Sequence, residues 1–287
     1  MKLGMKINPG VGDILLIRNQ FDSVIHKYNE IEISLNRPIL IRFREKQGTS
    51  EYYNFAYDFT KMVFDHPPYI VTENQSFPRM SIIDNDMGVE IPDEGLYKIN
   101  DYSSFLCEGE KLPKDYIVIT TRIRMLPQRS KFLLDVAPTF LCALEELSKK
   151  HPIYLIGERE VALTPENKMH GNELIYSIYN ELMPYIYNDN LVDMTMNSSE
   201  AQVPNISKLK YDCQLMKGAK AVITLGIGGN FILALATATK LYSYIGESSD
   251  VQSVIPFYSK MSEYPQRKGI SIYTDINKFV ENISSIR

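Results

Sequence analysis

The chain has 287 residues, of which 44% are hydrophobic and 23% are charged. This is the composition of a folded globular protein and not of a disordered one, and the length predicts two domains of roughly 100–200 residues each. The formal net charge of -4 argues against a general nucleic-acid coat and against a membrane-surface protein, because both need a net basic face.

The cysteines and the apolar segments indicate the cellular compartment of the protein. Cys107, Cys142 and Cys213 lie far apart without C-x-x-C spacing, so we expect reduced thiols and no zinc site. The start of the chain lacks the apolar core of a secretory signal. The longest apolar stretch, 221–238, is interrupted by glycines and polar residues, so we expect no membrane span and a cytoplasmic location.

The first half of the chain is predicted to be an α/β domain over residues 1–114. A strand at 3–7 is followed by a glycine-containing turn and by an apolar-periodic helix over 14–28, which is the opening of a βαβ unit. A second helix is expected at 50–65. Further extended segments are expected at 31–35, 38–43, 69–72 and 81–83. An irregular region rich in Pro, Gly and acids then predicts a domain junction near 111–114.

The second half is predicted to be an α/β domain over residues 115–270, followed by a helical segment over 271–287. Strands are expected at 116–120, 153–156, 221–225 and 241–245. Helices are expected at 131–150, 172–187, 206–217, 230–239 and 274–286. Strands that alternate with helices predict a parallel sheet covered on both faces. Ligands of such folds bind at the carboxyl ends of the strands, so we expect a site in the loops that follow them.

The most distinctive motif is a glycine-rich turn between a predicted strand and a predicted helix. Gly226, Gly228 and Gly229 follow the strand and precede Asn230. Glycine lets the backbone approach a phosphate closely, and a helix N-terminus offers unpaired N–H groups; the alternative is a packing turn without a ligand. The motif lacks the Lys-Ser/Thr of a P-loop, and it lacks the acid about 20 residues further on that a NAD-binding motif requires.

A cluster of cations follows the first strand of the second half. Two threonines end the strand, and four cations follow without an intervening acid: Thr120, Thr121, Arg122, Arg124, Arg129 and Lys131. Arginine forks match phosphate oxygens in geometry, and such a cluster in an acidic protein attracts an anion. A solvated basic loop is the alternative.

Two carboxylate motifs each have two interpretations. Asp13, in the turn Gly10-Val11-Gly12-Asp13, can act as a general base or can cap the following helix. Asp84 and Asp86 form a D-x-D sequence that can hold a divalent metal, although an ordinary turn has the same sequence. The histidines are not paired with a serine or cysteine nucleophile motif, which argues against triad hydrolysis.

Together these residues resemble a two-domain GT-B glycosyltransferase of the heptosyltransferase-like family, whose members use ADP-sugars. Gly12-Asp13-Ile14-Leu15 matches the Gly-Asp pair that begins the first helix of the family. The resemblance implies that Asp13 is the catalytic base. Thr120-Thr121-Arg122 matches the opening of the second domain, which implies that these residues, with Arg129 or Lys131, hold the donor diphosphate.

The same resemblance extends to three later segments. Gly157-Glu158 matches a Gly…Glu pair that contacts the ribose or nucleotide in the family, and Asp193-Met194-Thr195 resembles the lining of its base pocket. The turn 225–230 falls where the family has Asp-Ser/Thr-Gly-x-x-His at a helix N-terminus. Leu225 stands in place of the Asp and Asn230 in place of the His, so a phosphate cradle would depend on backbone groups.

The resemblance implies two Rossmann-like domains facing across a cleft, with a reduced N-terminal domain and a C-terminal helix that can cross back. It also implies inverting sugar transfer from a nucleotide-diphosphate sugar to an acceptor hydroxyl, without a bound metal or other cofactor. Two alternatives stay open. One is a nucleotide- or dinucleotide-binding oxidoreductase or epimerase on a doubly wound sheet, and the other is an inactive nucleotide-sugar-binding protein.

The sequence leaves the acceptor and the oligomeric state open. Four basic residues of the first half can face an anionic acceptor, such as a lipid-linked glycan, a phosphorylated glycan or modified DNA, or can form an exposed face: Arg37, Arg42, Arg44 and Lys46. Because the chain has no tryptophan, a sugar-stacking platform must come from Tyr or Phe. Tyr52, Tyr53 and Tyr57 are candidates, with a packed helix face as the alternative.

Overall fold

The computed structural model describes residues 1–36, 49–80, 88–109, 112, 115–125, 127–160, 169–170, 173–197, 205–246 and 255–287. Side chains are described within these ranges except at 49–50, 124–125, 127–137, 169–170, 173–176 and 255–256. The predicted extended segments 38–43 and 81–83 lie outside the described residues, and so does most of the predicted junction near 111–114.

The first domain is built on four parallel strands. These are β1 (Lys2–Ile7), β2 (Glu30–Leu35), β3 (Tyr69–Val71) and β4 (Arg79–Met80), in the order β3–β2–β1–β4. Helix α1 (Val11–Asp22) follows β1, and helix α2 (Thr49–Val63) precedes β3. All residues of α1 from 14 to 21 are buried, because the helix lies between this sheet and the second domain.

The second domain is built on six parallel strands. These are β5 (Ile117–Thr120), β7 (Ile153–Ile156), β10 (Leu191–Asp193), β11 (Ala221–Leu225), β12 (Leu241–Tyr244) and β13 (Ile270–Tyr273). Their order is β10–β7–β5–β11–β12–β13. Counted along the chain this order is 3-2-1-4-5-6, that of a Rossmann fold, and the first sheet has the order 3-2-1-4. The prediction of two Rossmann-like α/β halves is confirmed.

The remaining elements cover these sheets. An antiparallel sheet consists of β6 (Arg122–Met125), β9 (Glu173–Ser177) and β8 (Met169–His170). The further helices are α3 (Asp93–Tyr97), α4 (Ser103–Leu106), α5 (Pro127–Ser148), α6 (Tyr179–Leu182), α7 (Ile206–Gly218), α8 (Gly229–Thr237), α9 (Ile255–Glu263) and α10 (Ile276–Ser284). Single 3-10 turns occur at Ile25–Lys27, Met183–Tyr185 and Asn188–Asn190.

Helices α1 and α8 pack against each other and join the two domains. A Cβ atom added to Gly12 would lie 3.3 Å from the Cα atom of Gly229, so the first turns of the two helices meet through glycine. Ile14 of α1 and Ile232 of α8 are fully buried and belong to one apolar cluster that runs through both domains. The packing therefore holds two helix N-termini side by side at the domain interface.

A buried asparagine fixes the path of the segment that leads from the first domain to the second. Asn19 lies in α1 and is 1% exposed. Its Nδ2 donates to the carbonyl oxygens of Gly95 at 2.8 Å and Lys98 at 2.7 Å, and its Oδ1 accepts from the N–H of Asn100 at 2.9 Å. One side chain thus satisfies three backbone groups of a segment that has little regular structure of its own.

Several predicted elements differ from the structure. Within residues 172–187, predicted as one helix, β9 is followed by the short helix α6 and the turn Met183–Tyr185. Strand β9 pairs antiparallel with β6, so a partner distant in sequence decides its conformation, which local periodicity does not reveal. The basic segment after β5 is not a loop, because it forms β6 and the start of α5. Helix α1 also ends earlier than predicted, at Asp22.

The C-terminal helix stays with the second domain. Helix α10 packs against α5, β12 and β13, and its buried residues join the apolar cluster on that face of the second sheet. These contacts place the helix on the second sheet. Strand β13 also carries the second sheet past residue 270, so the predicted boundary between 270 and 271 cuts through a strand.

Replacing Phe279 by alanine tests this packing. The Phe279 side chain is fully buried, and its ring contacts those of Phe140, Tyr244 and Tyr273. Because the change leaves a cavity, Phe279→Ala should lower the free energy of unfolding by about 3–5 kcal/mol, measured by urea denaturation. On the exposed side of the same helix, Glu281→Ala should change it by less than about 0.5 kcal/mol. A similar, small effect of both changes would contradict the placement of the helix.

Candidate active site

A cavity of about 250 Å³ lies between the two domains. It lies at the carboxyl ends of β5 and β11, the adjacent strands at which the strand order of the second sheet reverses, and open α/β folds bind ligands at such a point. Predicted site residues from both domains line it: Gly12, Asp13, Arg122, Gly157, Glu158, Gly228, Gly229 and Asn230. The structure therefore brings together four motifs that span more than 200 residues of sequence.

The glycine-rich turn forms the N-terminus of α8. Gly226 and Gly228 have φ values of 75° and 122°, a region that favours glycine because a Cβ atom would be strained there. Gly228 is the N-cap of α8, and the first turn of the helix contains no acidic side chain. Its first N–H groups have no acceptor within the helix, and the positive end of the helix dipole favours an anion at this point.

The Asn230 side chain adds a further donor at the same helix end. Its Nδ2 atom is buried and has no hydrogen-bond partner. It lies beside Gly157, where an added Cβ would be only 3.1 Å away. An unpaired buried donor costs about 1–3 kcal/mol, and an oxygen of a bound ligand would satisfy it.

Asp13 lies in the part of the wall that the first domain contributes, in the first turn of α1. The N-cap of α1 is Gly10, and Asp13 is the acid of the first helical turn. Its Oδ2 atom lies 3.1 Å from the position that a Cβ on Gly10 would take, which shows that the glycine leaves room for it. A carboxylate at this position can accept the proton of a hydroxyl group that enters the cavity.

Arg122 and Glu158 form an ion pair in the cavity wall. Arg122 Nη1 lies 2.7 Å from Glu158 Oε1, and the two side chains are 36% and 8% exposed. The pair holds the guanidinium next to the cavity and uses one of its five N–H donors at Glu158. Of the other predicted cations, Arg124 lies in β6 and Arg129 and Lys131 lie in α5, but their side chains are outside the described residues.

The two threonines that end β5 have different surroundings. Thr121 Oγ1 donates to the carbonyl oxygens of Glu158 at 2.7 Å and Ile156 at 3.1 Å, so it fixes the loop after β7. The Thr120 Oγ1 atom is buried without a hydrogen-bond partner, and the residue is 1% exposed. Neither residue lies in the cavity wall, and nor does Gly226.

The predicted base-pocket residues are held in a polar network beside the cavity. Asp193 accepts hydrogen bonds from Arg159 Nη2 at 2.6 Å, Tyr179 Oη at 2.7 Å and the Thr195 N–H at 3.0 Å. Burial opposes ionisation of this carboxyl, but the hydrogen bonds from Thr195 and Tyr179 outweigh it and hold its pKa below the ordinary value. Of this segment Met196, and not Asp193, Met194 or Thr195, lines the cavity.

Several cavity residues are not among those predicted as catalytic or donor-binding. Tyr52, a candidate sugar platform, lines the cavity together with Phe55, which is on the same helix, α2. On the second domain, Lys208 and Asp212 of α7 form an ion pair in the wall. A lysine four residues before an acid is typical of an exposed helix face, so the sequence carries no signal that distinguishes this pair.

Some predicted features lie outside the described residues. Asp84 and Asp86 belong to 81–87, and Arg37, Arg42, Arg44 and Lys46 belong to 37–48. Within the described ranges, no group of three or more His, Cys, Asp or Glu side chains could hold a metal ion. No helix in the same part of the chain is both long enough and apolar enough to cross a membrane.

Comparison with known proteins finds similarity of structure. No family model matches the chain, and no curated protein sequence does. The chain is similar to the dodecameric iron-containing heptosyltransferase TibC in complex with ADP-D-beta-D-heptose, with 12% identity, a TM-score of 0.46 and coverage of 85% of this chain and 58% of TibC. It is also similar to E. coli ADP-heptose lps heptosyltransferase II, with 13% identity, a TM-score of 0.46 and coverage of 100% and 98%.

A third similar structure is the glycotransferase of kitacinnamycin, with 7% identity, a TM-score of 0.34 and coverage of 99% of this chain and 90% of that one. The chain spans somewhat more than half the length of TibC. At these identities and TM-scores an activity does not transfer from one protein to another, because unrelated functions share such folds. The function therefore has to be argued from the residues of the cavity.

A titration of stability against pH tests the environment of Asp212. Burial raises the pKa of its carboxyl to about 6, against the opposing effect of Lys208, whereas an unfolded Asp ionises near pH 3.9. The folded state therefore binds more protons between about pH 4 and pH 6, and loses stability as the pH rises through this range. Relative to Asp212→Asn, the wild type should lose roughly 2–3 kcal/mol of unfolding free energy from about pH 4 to pH 7, measured by urea denaturation. A constant difference, or one of opposite sign, would contradict a buried carboxyl.

Proposed function

We propose that the chain is a glycosyltransferase that uses a nucleoside-diphosphate sugar as donor. The observation that carries the proposal is one cavity whose wall contains a carboxylate from the first domain and an anion site from the second. Asp13, at the start of α1, supplies the carboxylate. The first turn of α8, with the unpaired Nδ2 atom of Asn230, supplies the anion site.

The proposed reaction is a single displacement at the anomeric carbon of the donor sugar. An acceptor hydroxyl oxygen forms a bond to this carbon while the bond from the carbon to the diphosphate oxygen breaks, so the configuration inverts. Asp13 takes the proton of the hydroxyl as the new bond forms. The nucleoside diphosphate leaves with the electron pair of the broken bond.

The charge that develops on the leaving diphosphate is met by groups of the second domain. The N–H groups of Gly229 and Asn230 and the Asn230 side chain can donate to its oxygens, and Arg122 adds a positive charge nearby. Donors that are already positioned before the reaction stabilise such a charge without reorganising. These groups neutralise the leaving group, and on this basis we propose that the transfer is independent of metal.

The position of the glycine turn argues against the dinucleotide-dependent alternative. In a dinucleotide-binding Rossmann domain a G-x-G-x-x-G turn follows the first strand. In the second domain the glycine turn follows β11, the fourth strand, and in the first domain the turn after β1 has Gly10 and Gly12 but Leu15 in place of the third glycine. After β5, the first strand of the second domain, only Thr121 precedes β6, and no glycine lies there. Glu158 does follow the second strand, where such domains bind a ribose, and it can serve a nucleoside diphosphate in the same way.

The first domain presents an aromatic wall to the acceptor. Tyr52 and Phe55 line the cavity on the same side as Asp13, and aromatic faces pack well against the apolar faces of sugar rings. We therefore take a saccharide hydroxyl as the acceptor group. ADP is the first donor nucleotide to test, because the family that the sequence resembles uses ADP-sugars.

Replacing Asp13 by asparagine tests the base. Asp13→Asn should lower sugar transfer, or donor hydrolysis where no acceptor is supplied, by about 10²–10⁴-fold, because the amide cannot take the proton. Binding of the nucleoside diphosphate, measured by calorimetry with ADP, GDP and UDP, should persist. The assay run in EDTA should give unchanged rates.

The matched control is Asp58→Asn, which removes an exposed acid of α2 that lies outside the cavity, and this variant should keep the wild-type rate. Near-normal turnover of Asp13→Asn would show that Asp13 is not the base. Loss of turnover in EDTA would contradict independence from metal. Nucleotide binding without any turnover would instead identify a nucleotide-sugar-binding protein.

A further inference from the structure

The cavity wall contains a third acidic side chain, besides Asp13 and Glu158, that the proposed reaction does not use. Asp212 and Lys208 lie one turn apart on α7 and form an ion pair, with side chains 14% and 26% exposed. Both line the same cavity as Asp13 and Asn230. A carboxylate and an ammonium kept in a ligand cavity are costly to desolvate, so their presence there needs a reason.

One face of α7 is directed at the cavity. Lys208, Asp212 and Met216 recur at a spacing of four residues and all line it. The other lysine in the same turn, Lys210, lies on a different face and pairs with Glu108 outside the cavity. The helix thus carries two lysines that each pair with an acid, and of these only Lys208 lines the cavity.

The cations of the cavity are both neutralised before a ligand arrives. Within the described part of the chain, the wall contains two cationic side chains, Arg122 and Lys208. Arg122 is held by Glu158 and Lys208 by Asp212. An ammonium on a flexible stem can exchange one oxygen partner for another. A diphosphate carries more negative charge than one carboxylate and therefore competes for the lysine.

We propose that Lys208 is a countercharge for the donor diphosphate, which it meets by leaving Asp212, and that Asp212 takes up a proton when the nucleotide binds. The proposal rests on the proposed function. In the unliganded protein the Lys208 ammonium contacts the Asp212 carboxylate. On binding, the ammonium moves to a phosphate oxygen, and the carboxylate left behind takes one proton from solvent. No covalent bond of the ligand changes in this step.

The surroundings of Asp212 favour this proton uptake. The other titratable or charged groups around the cavity, from each element that lines it, are Asp13, Tyr52, Arg122, Glu158 and Tyr258. Two of these are acids, and a bound diphosphate adds further negative charge. Burial already raises the pKa of Asp212 to about 6 while Lys208 is in place, and the loss of Lys208 to the ligand raises it further.

Calorimetric titration with ADP, GDP and UDP tests the role of Lys208. For the nucleotide that binds, Lys208→Met should weaken binding by roughly 10- to 100-fold, the effect of losing a hydrogen bond to a charged group. Lys208→Arg, which keeps the charge, should restore most of the affinity. Lys210→Met is the matched control on the same helix and should bind as the wild type does. Lys208→Gln serves as the second neutral variant if urea denaturation shows that Lys208→Met is not folded.

The proton is counted by repeating the titrations in buffers of different ionisation enthalpy near pH 7. The wild type should take up more protons per nucleotide bound than Asp212→Asn, by a number that approaches one. Titration of the nucleotide phosphate itself is common to both proteins and cancels in this difference. Because uptake is favoured at low pH, the affinity of the wild type should fall, relative to that of the variant, as the pH rises from about 6 to 8.

The outcomes separate this proposal from the proposed function. If the wild type binds a nucleotide and both neutral Lys208 variants bind it equally well, the role of Lys208 is overturned while the proposed function stands. If the Lys208 variants bind weakly but the proton numbers of the wild type and Asp212→Asn are equal, the role of Asp212 is overturned. If the wild type binds none of the three nucleotides, both proposals fail.

Discussion

The close approach of α1 and α8 at Gly12 and Gly229 is the contact on which the site depends. Because neither residue has a side chain, the first turns of the two helices meet at the domain interface. Each helix N-terminus carries a positive partial charge of about half an elementary unit, so two such ends repel each other unless negative charge lies between or beside them. Asp13 supplies that charge for α1, while the first turn of α8 contains no acid. No acidic side chain in the first turn of α8 offsets the positive partial charge of its N-terminus, so this helix end favours the binding of an anion.

The two Rossmann-like sheets put the chemistry at the same place. In each sheet the first strand lies next to the fourth, so the strand order reverses between these two strands. Helix α1 begins at this point of the first sheet, and the glycine turn begins at the same point of the second sheet. The carboxylate of one domain and the anion site of the other are consequences of the same topology applied twice. A displacement reaction needs both a base and a stabilised leaving group, and the cavity wall contains a candidate for each.

Strong local patterns in the sequence predicted the fold well, and pairings between distant segments limited the prediction. Strands β7 and β11 have the predicted bounds because their apolar residues are buried on both faces of a parallel sheet. The local pattern of β9 predicts a helix. The segment is a strand because it pairs with β6, about 50 residues away, and a local pattern does not reveal that pairing. The site followed the same rule. Asp13, Gly228 and Asn230 stand in recognisable turns, whereas Lys208 and Asp212 look like an ordinary exposed pair until the fold places them against the cavity.

The central claim is that the start of α8 holds the diphosphate of the donor. Backbone and side-chain amide resonances of 15N-labelled protein, followed by NMR during a titration with ADP, GDP or UDP, test it most directly. The claim predicts that the N–H groups of Gly228, Gly229 and Asn230 and the Asn230 side-chain amide shift most strongly, because a phosphate would accept hydrogen bonds there. Binding that leaves these four signals unchanged while amides elsewhere shift would contradict it.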